Sequence, residues 1–189
     1  MNRRDALKYS GMAFGYALTA GAFSTMLQSC QNEVSSDAWK PSTLSQDQFA
    51  MVSEIAETIL PKTDTPGAKD VMVDRFIDEY YTRFFDNENR AKAMSKMALL
   101  EEHFGGKAFV KLSDEEKMAS LSELNKAAIA AKEESDLQKA FLQLKGLIIS
   151  TYFSSEQIGT EVLAYNPVPG PYVGCIPYEE AGKVWSPSR

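Results

Sequence analysis

The sequence predicts an all-α fold, a single compact helical domain of five to six helices with an extended proline-rich C-terminal arm. Three observations carry the prediction. Apolar residues between Leu44 and Ala164 recur at the three-and-four spacing of a helix face. Serines followed three residues on by Gln or Glu open several of these segments, the signature of a capping box. No stretch shows the sustained apolar–polar alternation of a half-buried strand.

The helical body is expected over residues 44–164. Ser45 and Gln48 have capping-box spacing, and Phe49, Val52, Ala56 and Ile59 follow on one helical face. That helix must stop before Pro61, which has no amide hydrogen to donate. The run Lys62-Thr63-Asp64-Thr65-Pro66-Gly67-Ala68 is a loop, with a Pro-Gly turn signal and Asp and Thr side chains suited to bonding nearby amides. A second helix carries Val73, Phe76, Ile77, Tyr80 and Phe84 on one apolar stripe. Asp70, Asp74 and Asp78 lie four apart on another face. A calcium loop needs carboxylates two apart around a glycine turn, so this face reads as solvated, with Glu79 and Arg83 paired across one turn.

A third helix is expected from about Asn89 to Phe104, with Ala93, Met97, Leu100 and Phe104 inward and Gly105-Gly106 ending it. Ser113 and Glu116 cap a fourth, which carries Met118, Leu121, Leu124 and Ala128 to about Lys132. Ser135 opens a fifth whose Leu137, Phe141, Leu144, Ile148 and Tyr152 form one face. Further apolar surface at Leu142, Ile149 and Phe153 makes this helix central, and Gly146 would let a neighbouring backbone approach closely. Ser154 with Gln157 caps a short helix to Ala164.

Residues 165–189 change character. Five prolines between Pro167 and Pro187 exclude regular helix and central strand. Tyr165, Tyr172, Tyr178 and Trp185 give this arm aromatic surface to bury, either on its own helices or on a partner. At the other end, residues 31–43 are polar, without apolar periodicity, and read as a tether.

Residues 1–30 read as a targeting segment. Arg3 and Arg4, followed by Leu7 and Lys8 and then a Gly-containing, moderately apolar run, have the form of a twin-arginine export signal, a route for chains exported already folded. Leu27 and Ser29 stand three and one residues before Cys30, as in a bacterial lipobox, where the cysteine becomes the lipidated first residue of the mature chain; Gln28 is an unusual occupant between them. The alternatives are a cut nearby or an uncleaved anchor, the latter because no charge lies between Lys8 and Glu33. Gly11, Gly15, Gly21, Ser10, Thr19, Ser24 and Thr25 dilute the run against that reading, since a span needs about 20 predominantly apolar residues.

The remainder, about 160 residues, suffices for one core burying about 70 per cent of its unfolded surface. The whole chain has a formal charge of −6, and the leader holds three of its bases against one acid, so the rest is more acidic still. Nucleic acid and anionic surfaces are poor partners for such a chain. With Cys30 lipidated, Cys175 is the one remaining thiol and no internal disulfide can form; it reads as a buried or sheltered thiol.

Cofactor and catalytic signals are missing from the sequence. Gly170 to Gly174 has neither the spacing nor the context of a dinucleotide-binding glycine motif. Cys175 stands alone, without the second Cys and adjoining His of a haem attachment site. Zinc ligands of the usual kind are lacking. His103, the only histidine, follows Glu101 and Glu102, but adjacent residues point to different sides of a helix. It reads as a surface or helix-end residue rather than a catalytic base.

Taken together, Glu57-Thr58-Ile59-Leu60-Pro61-Lys62-Thr63-Asp64-Thr65-Pro66-Gly67-Ala68, then Phe76-Ile77-Asp78, then Pro169-Gly170-Pro171-Tyr172 and Gly174-Cys175-Ile176-Pro177 to Trp185 resemble the gluconate 2-dehydrogenase subunit 3 family. The resemblance covers nearly all the chain from about Leu44. Two positions depart from the family pattern, in which glycine often stands at Met72 and proline at Asp74. The family consists of small subunits of periplasmic flavin-dependent sugar and sugar-acid dehydrogenases. The resemblance therefore implies a non-catalytic subunit with no cofactor of its own. FAD is expected in a flavoprotein large subunit, which passes electrons to a cytochrome or other acceptor.

By the same resemblance, Pro61, Asp64, Pro66, Gly67, Pro169, Gly170, Tyr172, Cys175 and Trp185 are candidate partner-interface residues. Arg3 and Arg4 would export the pair, and Cys30 would hold it on the periplasmic side of a membrane. Two other readings stand beside this one. The first is a free-standing lipid-anchored binding module; the second is an enzyme using His103 or the Asp70, Asp74 and Asp78 stripe.

Overall fold

The computed structural model describes residues 39–165 and, in the arm, 168, 171, 174, 175, 177, 179 and 182–185. The order is α1 (Gln46–Ile59), α2 (Val73–Arg83), α3 (Asn87–Phe104), α4 (Lys107–Val110), α5 (Asp114–Ala130), α6 (Asp136–Ser154) and a π-helix (Ile158–Val162). The fold is all-α. Arg3, Arg4 and Cys30 lie outside the described residues, as do Pro169, Gly170 and Tyr172.

Local chemistry sets the helix ends. Ser45, Ser113 and Ser135 each accept a hydrogen bond from the third helical amide, and Gln48, Glu116 and Gln138 reciprocate at the cap amide, completing three capping boxes. The amide of Ser113 also holds the Glu116 carboxyl below the usual carboxylate range, helped by the Ser113 hydroxyl. Gly105 ends α3 in the left-handed region, with φ 76°. The turn that follows, α4, is an element the sequence reading did not separate; it buries Phe109 fully, against Phe104.

At its other end α3 supplies a cap to its neighbour. Arg90 donates to the carbonyls of Tyr81 at 3.0 Å, Thr82 at 2.7 Å and Phe85 at 3.0 Å. A cation thus meets carbonyls at the end of α2 that have no helical partner.

α6 packs against α1, α2, α3, α5 and the π-helix, so the central position expected for it holds. Its buried face comprises Ala140, Phe141, Leu144, Ile148, Thr151 and Tyr152. Each large apolar side chain so buried stabilises by about 1.5–3 kcal/mol. Met51, Val52, Ile55 and Ala56 of α1, Val73 and Ile77 of α2, and Met97 and Leu100 of α3 join the same core. Among the described residues no helix is long and apolar enough to cross a membrane.

Several expectations are corrected. Gly146 faces open space rather than a neighbouring backbone. Met118 is exposed, because the inward position beside it belongs to Lys117. The last short helix is a π-helix with Gln157 at its N-cap and no side-chain cap bond, and it is the Ser155 hydroxyl, not Ser154, that accepts from the Ile158 amide at 3.4 Å. The α2 stripe is also divided: Val73, Ile77 and Tyr81 are buried, whereas Phe76 and Phe84 are exposed.

The largest correction concerns Asp78, read as part of a solvated acidic face and found fully buried. Its Oδ2 accepts from the amide of Ser42 at 2.7 Å, and its Oδ1 accepts from Thr43 at 3.0 Å and Leu44 at 2.9 Å. The Thr82 hydroxyl donates to the Asp78 carbonyl at 2.8 Å, which leaves its oxygen to receive the Thr43 hydroxyl at 2.7 Å. The last residues of the stretch read as a tether are therefore fastened to α2. Asp70 lies in the loop before α2, and Asp74 in its first turn. Glu79 and Arg83 do pair across one turn.

A second buried charge sits at Lys117, which bonds Glu54 at 2.8 Å, while Lys69 reaches the other Glu54 oxygen. Burial works to raise the Glu54 carboxyl, but the bonds from Lys117 and Lys69 outweigh it and hold it below its ordinary value of 4.5. The Glu54 hydrogen bond in turn raises Lys117 above 10.5.

Two predictions follow from these charges. Asp78→Asn presents a donor where an amide already donates, and should lower unfolding free energy by about 2–3 kcal/mol, read from the midpoint of urea denaturation. Glu54→Gln leaves the buried Lys117 ammonium only the exposed Asp114 carboxylate, at 3.7 Å, and should cost about 2–3 kcal/mol, more than Lys117→Met, which removes the buried charge itself. The Glu54 contribution is present above pH 4.5 and lost as pH falls through its lowered folded value. The Lys117 contribution is present below pH 10.5 and lost as pH rises through its raised folded value. The Glu54→Gln deficit, measured across pH, should accordingly shrink at both extremes.

Candidate functional site

The loop between α1 and α2 is built from outside its own sequence. Glu57, on the last turn of α1, turns its carboxylate into the loop and accepts the amides of Lys62 at 3.1 Å and Lys69 at 2.9 Å. The Ala68 amide bonds the Leu60 carbonyl at 2.9 Å and closes the loop at its base. From α6, the Tyr152 hydroxyl donates to the Pro66 carbonyl at 2.7 Å. Asp70 accepts the Gly67 amide at 3.0 Å and pairs with Lys62 at 3.1 Å. The Gly67 bond, and then the Lys62 bond, hold the Asp70 carboxyl below its ordinary range.

Gly67 is buried at the centre of this arrangement. A Cβ there would lie 2.5 Å and 2.8 Å from the Glu57 carboxylate oxygens and 2.8 Å from the Lys62 amide nitrogen. Glycine is required here for space. At Met72 the constraint is torsional: with φ 56° and ψ 39°, it is the only non-glycine with positive φ among the described residues. That is the region glycine adopts without cost.

With its backbone held in this way, the loop presents Pro61, Lys62, Thr63 and Asp64 to solvent, while Pro66 is half-buried. The Asp64 side chain makes no hydrogen bond among the described residues. Together with Gln157 at the start of the π-helix and Glu161 within it, the loop borders an open groove of about 530 Å³. Lys183 donates to the Glu161 carbonyl at 3.2 Å, and the Ala164 amide bonds the Val184 carbonyl at 2.8 Å, with Ala164 and Trp185 in a parallel bridge. The described end of the arm thus returns to the π-helix end of the body. Cys175 is exposed, not sheltered as expected, because the arm leaves it outside the packed helices.

The structure gathers Pro61, Asp64, Pro66 and Gly67 into one loop and brings Trp185 back to Ala164 beside the π-helix. His103 stands exposed in the last turn of α3, its ring 4.8 Å from that of Phe104. Among the described residues, no group of three or more His, Cys, Asp and Glu side chains is placed to hold a metal ion.

A surface the sequence reading missed lies on α2. Phe76, Tyr80 and Phe84 stack along its outer side, with centroids 6.2 Å and 5.5 Å apart. Their spacing of four was legible, but which side of the helix faced the core was not. Tyr81, on the inner side, is pushed up to about 12 by burial and then by the neighbouring Tyr80.

Loop rigidity and loop recognition separate under mutation. Gly67→Ala should cost about 2 kcal/mol through overpacking and reduce hydrogen-exchange protection at the Lys62 and Lys69 amides. Asp64→Ala should stay within about 0.5 kcal/mol of the parent in urea denaturation.

The family model described as gluconate 2-dehydrogenase subunit 3 matches residues 46–170, from the first residue of α1 into the arm. The match stops short of Pro171–Trp185, so the tail motif beyond Gly170 is not part of it. No curated protein and no solved structure matches the chain. Because the match spans well over half of the sequence and contains every helix given above among the described residues, the chain belongs to the gluconate 2-dehydrogenase subunit 3 family.

Proposed function

We propose that this chain is the non-catalytic small subunit of a flavin-dependent sugar or sugar-acid dehydrogenase, and that it binds, stabilises and escorts the large subunit for export. The observation that carries the reading is family membership across the whole helical body. The loop supports it. Glu57, Asp70 and Tyr152 hold the backbone while Pro61 and Asp64 remain outward, so a partner would meet a preformed surface with little ordering cost.

In this reading FAD belongs to the partner, and the chain contributes binding surface and an address. Arg3 and Arg4 direct the folded pair into the twin-arginine route, and Cys30, once lipidated, keeps it on the periplasmic face of a membrane. A cytochrome or comparable carrier there takes the electrons.

The full-length protein purified from its own cell should bring with it a polypeptide with a flavin absorbance spectrum. Replacing Arg3 and Arg4 together by lysine should leave that flavoprotein in the cytoplasmic fraction. Normal export of the flavoprotein without the arginine pair would refute the escort role, and a native preparation free of flavin would refute the subunit reading.

A further inference from the structure

The stacked stripe on α2 is large, aromatic and uncovered among the described residues. Phe76 is 49 per cent exposed and Phe84 72 per cent, with Met72 at 53 per cent continuing the stripe toward the loop. Isolated exposed apolar residues are ordinary, but a contiguous aromatic row marks an interaction surface. Phenyl and phenol rings fixed by stacking lose little side-chain freedom when covered, and aromatic side chains are enriched among residues that dominate binding energy.

The row does not end at the helix edge. Tyr80 packs edge-on against Phe85 at 5.3 Å, and both rings line a cleft of about 360 Å³ between α2, α3 and α6. Its floor is apolar, with Met97, Leu144 and Leu147. Its rim carries Lys92 and Lys96, and no carboxylate lines it, in a chain with a formal charge of −6. Lys92 is paired with Glu88, whereas the Lys96 ammonium has the neutral side-chain amide oxygen of Gln143 at 2.7 Å. An apolar cleft with an unneutralised cation at its mouth is complementary to an apolar segment that carries a carboxylate.

We infer that the outer stripe of α2 and the adjoining cleft are the docking surface for the dehydrogenase subunit, which covers Phe76 and Phe84, fills the cleft with apolar side chains and sets a carboxylate against Lys96. The assignment rests on the subunit reading above and adds the face through which the subunits meet. The competing occupants are a second copy of this chain and its own arm. The described ends of the arm meet beside the π-helix, which packs on α6, whereas the cleft is lined by the first half of α6, from Ala140 to Leu147.

The test uses the full chain in its own cell, with the photo-crosslinking residue p-benzoylphenylalanine placed at position 76, 84 or, as a control on α5, 129. Ile129 is 71 per cent exposed and lies away from the cleft lining. Crosslinks from 76 and 84, but not 129, to the co-purifying flavoprotein are expected. Phe84→Glu and Lys96→Glu should each lower the recovered flavin about tenfold or more, while the melting curve of the purified variant is unchanged.

The surface assignment is overturned if the flavoprotein co-purifies but crosslinks only from 129, or if 76 and 84 crosslink to a second copy or to the chain's own arm. It is equally overturned if both glutamate variants retain the flavin. Absence of any flavoprotein from the unsubstituted protein would instead refute the subunit reading, and the docking surface with it.

Discussion

The Asp78 carboxylate is the constraint on which the entry into the fold depends. A fully buried charge is costly unless hydrogen bonds replace its lost hydration. Here three consecutive amides, from Ser42 to Leu44, perform that replacement. Those amides lie just before α1 and have no helical carbonyl to bond, so each side of the contact satisfies the other. Residues 42–44 are thereby fastened to α2, and α1 starts from a fixed point. Leu44 is buried through the same contact, which couples the polar arrangement to the hydrophobic core.

The loop after α1 repeats that logic with Glu57. Its carboxylate accepts two loop amides and leaves no room for a side chain at residue 67, so Gly67 and Glu57 form one structural unit. Tyr152 ties the same loop to α6, the helix that contacts most of the others. A surface segment of irregular backbone is therefore as well supported as the helices around it. Such support lowers the ordering cost of binding.

The two candidate surfaces differ in character. The loop is polar and held by hydrogen bonds from Glu57 and Tyr152, whereas the outer side of α2 is aromatic and held by stacking. Met72 links them: its left-handed backbone turns the chain from the loop into α2, and its exposed side chain opens the aromatic row. A subunit reading accommodates both, with the apolar face supplying area and the polar loop supplying register.

Much of the fold was legible in the sequence. Ser45, Ser113 and the Pro61 stop act through contacts a few residues long, and the Phe141, Leu144, Ile148 and Tyr152 face follows from helical periodicity, so local chemistry and spacing determined the helices and their approximate ends. The loop motif, taken with Phe76-Ile77-Asp78 and the proline-rich tail, also pointed to the family. Which of two apolar sides of α2 faced the core was not legible, because Ile77 and Tyr81 compete with Phe76, Tyr80 and Phe84 at similar spacings. Nor was the fate of the acidic residues. Asp78 is buried only because amides 34–36 residues away arrive to donate to it, and Lys117 only because Glu54 arrives from 63 residues away. Sequence spacing reports which side chains share a helix face, whereas burial of a charge depends on a partner from elsewhere in the chain, and only the tertiary structure brings that partner into place.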